Sequence, residues 1–301
     1  MALIGALALG LISAATTQAT ANAETASSPT TAGAATNNLV VWRPSNGVWY
    51  TLDQSTGAIA NWQWGTSGDK PVSGDYTGDG VQDLAVWRPS NGVWYTLNRS
   101  NGAIANWQWG TAGDVPLSGD YTGDGIADLA VWRPSDGVWY VKNPVTGEIT
   151  NRQWGTNGDI PVSGDYTGDG IADLVVFRPS NGVWYTKDGV TGAIANWQWG
   201  TAGDVPVYGD FTEDGIADLA VWRPSNGVWY TLNRSNGAIA NWQWGTSGDV
   251  PVSGDYNGDG VQDLAVWRPS NGVWYTLNRS NGAIANWQWG TNGDVPVSFR
   301  R

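Results

Sequence analysis

The sequence lacks the residues on which much metal and acid–base chemistry depends. Its 301 residues include no cysteine, no histidine and one methionine, and only 14% are charged, against about 25% in an ordinary globular protein. The missing cysteine and histidine exclude disulfides, cysteine- or histidine-ligated zinc and histidine-based catalysis. Lysine and arginine total 15 and the net charge is −12. Nucleic acid is therefore not an expected partner, because its binding needs clustered cations that neutralise phosphates.

The N-terminal region predicts secretion. Residues 2–15 form an uncharged apolar run, ALIGALALGLISAA, which has the length of a signal-peptide core and is shorter than the ~20 residues that span a bilayer. It is followed by Ala21-Asn22-Ala23, which fits the A-x-A pattern of a cleavage site. We interpret residues 1–23 as a signal peptide and the Thr/Ser/Ala-rich residues 24–37 as a flexible linker. The mature protein is then extracellular and has no membrane span.

After residue 37 the sequence repeats every 45 residues without insertion or deletion. All 22 tryptophans fall on four positions of this unit, which is interrupted only by Phe177 and Arg152. The aromatic residue of the Trp-Arg-Pro-Ser element marks the period at Trp42, Trp87, Trp132, Phe177, Trp222 and Trp267. A regular period of this length is typical of arrays, solenoids and propellers.

Each unit contains four strand-like runs that are rich in Val, Trp, Tyr and Thr and bounded by Asp-Gly or Asn-Gly turns. The first unit lacks its first run, and residues 295–298 after the last unit supply one. We therefore predict an all-β fold over residues 38–301. It is a six-bladed β-propeller of six four-stranded repeats, closed by a C-terminal strand that joins the N-terminal blade.

An acidic loop with the pattern D-x-T-x-D-G-x-x-D lies between the first and second runs. Oxygen ligands at positions 1, 3, 5 and 9 and a glycine at position 6 suit Ca²⁺. Without a cation, converging carboxylates would repel by roughly 4 kcal/mol per pair. We predict up to five structural Ca²⁺ ions, and the alternative is a plain Asp-Gly turn. The predicted ligands are Asp75, Thr77, Asp79, Asp83, Asp120, Thr122, Asp124, Asp128, Asp165, Thr167, Asp169, Asp173, Asp210, Thr212, Asp214, Asp218, Asp255, Asn257, Asp259 and Asp263.

With this loop and the D-L-(A/V)-V run after it, the repeat resembles the FG-GAP/VCBS repeats of integrin-α-like propellers. The resemblance covers residues 38–301. It implies a calcium-stabilised propeller that carries ligands on its loops, usually in extracellular adhesion or recognition. The sequence departs from the integrin pattern in two ways, with six units where those rings have seven blades and with threonine where aspartate is commoner at position 3.

Near-identical blades predict near-identical clefts between blades, and several weak copies of one site gain avidity for a multivalent ligand. Because tryptophan faces stack on sugar rings, we expect a lectin-like recognition module. Arginine replaces one tryptophan at position 152, so this position of the unit is expected to be partly exposed. The candidate ligand-binding residues are Trp62, Trp107, Trp197, Trp242 and Trp287.

Several alternatives stay open. An arginine recurs at Arg43 and its five equivalents, and its role is either structural, beside an aromatic ring or a loop aspartate, or ligand-binding. The protein could instead be an adhesion or scaffold propeller that binds an extracellular protein. It could also be a designed or recently duplicated repeat without a selected ligand. Departures from the repeat, such as Asp136 and Glu148, form no evident acid–base pair, so an enzyme is not expected.

Overall fold

The computed structural model describes residues 38–299. The predicted signal peptide and linker, residues 1–23 and 24–37, lie outside the described residues. In the described range the chain forms 24 strands in six four-stranded antiparallel sheets, and it contains no helix that could cross a membrane. This confirms the predicted all-β, six-bladed propeller.

The strands follow the repeat in order. Blade 1 consists of β24 (Val295–Val297), β1 (Asn38–Arg43), β2 (Val48–Asp53) and β3 (Ile59–Gln63), and blade 2 of β4 (Lys70–Gly74), β5 (Asp83–Arg88), β6 (Val93–Leu97) and β7 (Ile104–Gln108). Blade 3 consists of β8 (Val115–Leu117), β9 (Leu129–Arg133), β10 (Val138–Lys142) and β11 (Ile149–Gln153), and blade 4 of β12 (Ile160–Gly164), β13 (Asp173–Arg178), β14 (Val183–Lys187) and β15 (Ile194–Gln198). Blade 5 consists of β16 (Val205–Val207), β17 (Leu219–Arg223), β18 (Val228–Leu232) and β19 (Ile239–Gln243), and blade 6 of β20 (Val250–Gly254), β21 (Asp263–Arg268), β22 (Val273–Leu277) and β23 (Ile284–Gln288).

The two ends of the chain close the ring. Strand β24 pairs antiparallel with β1, with Val297 opposite Val40 and Val295 opposite Trp42. The first strands of the six blades also contact one another in a complete circle, β24–β4–β8–β12–β16–β20 and back to β24. Closure removes the open edge that an unfinished array of blades would expose.

Burial decreases across each blade from its second strand to its fourth. In blade 2 the second strand, DLAVWR, is buried on both faces up to its last residue, the third alternates, and the fourth is exposed at Ile104, Asn106 and Gln108. The hydrophobic clusters lie between blades, so that Trp87 and Trp94 of blade 2 pack with residues of blade 3. Each sheet is therefore covered on both faces by its neighbours, as its two apolar faces predict.

Indole hydrogen bonds explain the density of tryptophan. The tryptophan that follows each fourth strand is here called a linker tryptophan; the six are Trp64, Trp109, Trp154, Trp199, Trp244 and Trp289. In blade 3 the carbonyl oxygen of Trp154 accepts the Nε1–H groups of Trp132 at 3.1 Å and Trp139 at 3.0 Å. The indole of Trp154 donates to the carbonyl of Tyr185 in blade 4 at 3.1 Å. Each linker tryptophan thus orders its own blade and joins it to the next.

Blade 4 lacks one of these bonds, because Phe177 stands where the other blades have tryptophan and only Trp184 donates to the carbonyl of Trp199, at 2.8 Å. We expect Phe177→Trp to raise the free energy of unfolding by about 1 kcal/mol, the typical net value of one hydrogen bond. The reverse change in an intact blade, Trp132→Phe, should lower it by a similar amount. Chemical denaturation of both variants measures the effect, and a Phe177→Trp protein no more stable than the parent would contradict this account.

Candidate functional site

The two ends of the ring carry different chemistry, because successive connections in an antiparallel blade alternate between its ends. The loops between first and second strands, which contain the predicted calcium ligands, share one end with the loops between third and fourth strands. We call this the acidic end. The turns between second and third strands and the linkers between blades lie at the opposite end, which we call the arginine end.

The first aspartate of each acidic loop organises the turn around itself. The carboxylate of Asp75 accepts the backbone N–H groups of Gly78 and Gly80, each at 2.7 Å. The same pair of bonds recurs in the other four loops, at Asp120, Asp165, Asp210 and Asp255. These aspartates are therefore structural parts of the turn, whatever else they bind.

The last aspartate of each loop is buried, whereas the other predicted ligands are exposed or half-exposed. One oxygen of Asp83 accepts the backbone N–H of Tyr76 at 2.9 Å, and its Oδ1 is buried without a hydrogen-bond partner. Burial, with the nearby charges of the same loop, raises the pKa of this carboxyl to about 6. Burial likewise raises the pKa of Asp263 to about 7 and that of three equivalents to about 6, namely Asp128, Asp173 and Asp218. Each loop thus holds a carboxyl whose charged form is disfavoured by burial. Within residues 38–299, only in the first loop does one oxygen of this carboxyl lack a hydrogen-bond partner, because the Oδ1 atoms of the other four accept hydrogen bonds.

The middle positions of the loops are tied to the neighbouring third-to-fourth-strand loop. Asn98 donates to the Oγ1 of Thr77 at 2.7 Å and to the Oδ2 of Asp79 at 2.9 Å, and Asn143 and Asn233 do the same in blades 3 and 5. Within residues 38–299, no group of three acidic side chains is close enough to hold a metal ion. The loops therefore supply calcium-type oxygen atoms but do not gather three carboxylates around one point.

Four of the five acidic loops, those of blades 2 to 5, are linked in series by main-chain hydrogen bonds. The carbonyl of Asp75 accepts the N–H of Ala127 in the next loop at 2.7 Å, and equivalent bonds join Asp120 to Ala172 and Asp165 to Ala217. A change in one loop can therefore reach the next through the main chain.

The fourth-strand tryptophans, Trp62 and its equivalents, are half-buried, and three of their rings lie against an arginine of the following blade. Arg99 lies 5.2 Å from the ring centre of Trp62, Arg234 lies 4.0 Å from Trp197, and Arg279 lies 4.4 Å from Trp242. The sequence has Pro144 at the position that would cover Trp107 and Gln54 at the one that would cover Trp287.

Between blades 3 and 4 the arginine comes from the other blade: it stands at the fourth-strand tryptophan position, and a glycine stands at the arginine position. This arginine is Arg152, and it donates to the carbonyl of the glycine, Gly189. Arginine therefore occupies this part of four of the six interfaces, from one blade or the other.

The arginine end repeats a second constellation in all six interfaces. The Nε and Nη2 of Arg178 donate to the two carboxylate oxygens of Asp159 at 2.7 and 2.8 Å, and the guanidinium lies 4.3 Å from the ring centre of Tyr185. The aspartate is buried, with 1% of its side chain exposed, and the arginine retains 27%. The six arginines are Arg43, Arg88, Arg133, Arg178, Arg223 and Arg268. The structural interpretation of this series holds, with tyrosine as the aromatic partner.

A cleft lies beside Arg178, in the interface of blades 3 and 4. It contains ≈ 280 Å³ of space that is open to solvent, and its walls are formed by Trp154, Gly155, Thr156, Val176, Arg178 and Tyr185. Gly155 has a φ of +104°, and a Cβ on it would lie 3.1 Å from Val176. Glycine thus permits both the backbone conformation and the close approach of the two blades.

The sequence predicts clefts between blades but not the residues of this one, because its walls come from consecutive units. The repetition of the arginine and of the Trp-Gly-Thr element in every unit was the available signal. From the sequence alone, these residues could line a cleft or pack in the core. The choice between the two depends on how adjacent blades lie against each other.

Comparison with known proteins gives a family and a fold. The FG-GAP-like repeat model matches residues 75–131, 120–176 and 210–266, which together make up more than half of the chain. No curated protein matches the chain. An Agrocybe aegerita lectin described as recognising non-reducing terminal N-acetylglucosamine aligns with a TM-score of 0.55 at 16% identity, over 84% of this chain and 75% of that one.

A second solved structure, TolB from Acinetobacter baumannii, aligns with a TM-score of 0.60 at 14% identity, over 87% of this chain and 66% of that one. At such low identity these likenesses show the propeller architecture alone. The family match rests instead on the repeats that contain the acidic loops. From the repeated loop motif, the blades and the three matches, we conclude that the chain belongs to the FG-GAP-like repeat family.

Proposed function

We propose that the protein is a secreted, calcium-binding propeller that recognises carbohydrate through several equivalent sites. The observation that carries this proposal is the six-fold repetition of half-buried aromatic side chains at the blade interfaces. One such site binds a sugar ring weakly, but several copies on one rigid ring bind a multivalent glycan with much higher avidity. The Agrocybe lectin, which has a similar architecture, is described as binding a terminal sugar.

A recognition role fits the chemistry better than catalysis does. An enzyme concentrates its reacting groups in one asymmetric place, whereas here the aromatic and charged groups recur in every blade. The raised carboxyl pKa values also recur, one in each acidic loop, and are explained by burial. An adhesion or scaffold function remains the second candidate, since the fold also suits a protein partner.

A glycan array with the mature chain, residues 24–301, tests the carbohydrate proposal. Binding that strengthens with the number of sugars displayed per carrier supports a multivalent lectin. A folded protein that binds nothing on the array would overturn the carbohydrate proposal and favour a protein partner.

Calcium is the ion that the acidic loops are proposed to hold. All of the available ligands are oxygen atoms, the set that hard divalent cations prefer, and in the first of the five loops the buried Oδ1 of Asp83 has no hydrogen-bond donor. A bound cation would compensate the negative charge of the loop and supply that oxygen with a partner. The bound ion contributes electrostatic stabilisation, while Asp75 and its equivalents hold the turn in shape.

Calcium added to the metal-stripped protein should raise its melting temperature, because a ligand that binds only the folded state stabilises it by about 2.7 kcal/mol per site at one hundred times its dissociation constant. Asp79→Asn should remove one binding site of five while keeping the Oδ1 bond to the N–H of Val81. Isothermal titration counts the sites. Asp136→Asn, outside the acidic loops, is the control. A melting temperature that changes neither on addition of calcium nor on addition of a chelator would contradict the proposal.

Stability should also depend on pH in the metal-stripped protein. The five buried carboxyls have folded pKa values of about 6 or 7, above the value of about 3.9 in an unfolded chain. The folded state therefore binds more protons in this window, and the free energy of unfolding should fall as the pH rises from about 4 to about 7.

Saturating calcium should remove this loss, because the ion favours the deprotonated carboxylates, and its affinity should weaken below about pH 6. Denaturant titrations across the pH range, with and without calcium, measure both effects. A metal-stripped protein that becomes more stable between about pH 4 and 7 would show that these carboxyls do not titrate as described.

A further inference from the structure

We propose that the sugar-binding sites lie at the arginine end, in the cleft beside Arg178 and at the five equivalent positions of the other interfaces, and that they take neutral sugar rings. Each site is formed by a linker tryptophan and its following glycine and threonine from one blade, and by an arginine and a tyrosine from the next. This inference rests on the proposed carbohydrate function and assigns its site, ligand class and valency.

The residues of this constellation are present in all six interfaces, whereas the fourth-strand tryptophan is not. The linker tryptophan, the arginine–aspartate pair and the tyrosine are present in all six interfaces. At the fourth-strand position one tryptophan is replaced by Arg152, and the rings of three others lie against arginines. Within residues 38–299, no arginine lies against a linker tryptophan, although Lys142 and Lys187 lie 5.8 Å from the ring centres of Trp109 and Trp154.

The polar groups of each site are held in place before any ligand arrives. Two nitrogens of Arg178 are fixed by Asp159, and its guanidinium lies against Tyr185. The exposed Thr156 hydroxyl accepts a hydrogen bond from Nη2 of the same arginine at 3.1 Å, and 27% of the arginine side chain stays exposed. A fixed donor and a hydroxyl beside an aromatic surface suit a sugar ring, because little side-chain entropy is lost on binding.

The charge of the cleft favours a neutral ligand. Asp159 is buried against Arg178 in a two-bond pair, so the pair has no net charge to offer an anion. The whole chain has a net charge of −12 and repels polyanions at long range. Neutral hexoses and N-acetylhexosamines therefore fit better than sialylated, sulfated or uronic-acid glycans.

The position of the clefts separates sugar binding from the acidic loops. The loops lie at the opposite end of the same blades, and no predicted calcium ligand is among the residues that line the cleft beside Arg178. Calcium is therefore expected to stabilise the propeller without coordinating the sugar.

The test compares two sets of exposed positions in the same linkers. The cleft-filling variant carries tyrosine in place of six threonines, Thr66, Thr111, Thr156, Thr201, Thr246 and Thr291. The matched control carries tyrosine at the six adjacent exposed positions, Ser67, Ala112, Asn157, Ala202, Ser247 and Asn292. A third variant, Trp107→Leu with Trp287→Leu, removes the two fourth-strand tryptophans whose rings carry no arginine. Thermal melting confirms that each variant is folded.

The probes are serum albumin conjugates of glucose, galactose, mannose and N-acetylglucosamine, with a sialic acid conjugate as the anionic probe. We expect the parent and the control to bind a neutral conjugate, and the cleft-filling variant to lose at least about tenfold in avidity. Thr156→Tyr alone should remove one of six sites in a titration with the free sugar. Chelation of calcium should leave the per-site affinity unchanged at temperatures at which the protein stays folded.

The outcomes separate the two proposals. If no conjugate binds the folded parent, the carbohydrate function fails and the cleft assignment with it. If a neutral conjugate binds the cleft-filling variant as well as the parent, while the tryptophan variant loses binding, the function stands and the clefts are the wrong site. Preference for the sialic acid conjugate, or loss of binding on chelation of a folded protein, would also overturn the assignment.

Discussion

The architecture depends on the hydrogen bonds of the linker tryptophans. The carbonyl of Trp154 accepts two indole N–H groups from its own blade, and its indole donates to the next blade. A buried indole N–H without an acceptor costs free energy, so these bonds fix where each bulky ring lies. The bond from Trp289 to the carbonyl of Tyr50 repeats the arrangement between the last blade and the first. Ring closure thus uses the same contact as every other interface.

Some interface residues are the same in every blade, and others vary between blades. Phe177 retains the ring but loses one hydrogen bond, and Arg152 with Gly189 exchanges the partners of one interface. Both departures leave the register of the blades intact. The linker tryptophan and its arginine–aspartate pair show no exception in any interface. Between blades 3 and 4 the linker tryptophan that holds the blades together also forms a wall of the cleft.

The two ends of the propeller differ in how far local sequence determines them. An acidic loop is a continuous segment, so its ligand types and its turn are visible in the motif; Asp75 accepts amides from its own loop. How closely the carboxylates approach one another is a tertiary property, because Asn98 engages Thr77 and Asp79 from another loop. At the arginine end the tertiary structure also decides which residues line the cleft, because Trp154 and Arg178 belong to different blades.

The sequence by itself determined the number of blades, their four-strand composition and the closure of the ring. These follow from an unbroken 45-residue period and from strands whose two apolar faces both require cover. The tertiary structure alone decided which tryptophans are covered and which border a cleft. Trp62 and Trp64 are both half-buried and separated by one residue, yet Arg99 lies against the ring of the first while the indole of the second donates to the carbonyl of Tyr95 in blade 2. The reason is physical: exposure depends on the neighbouring blade, and its position is absent from the pattern of any single unit.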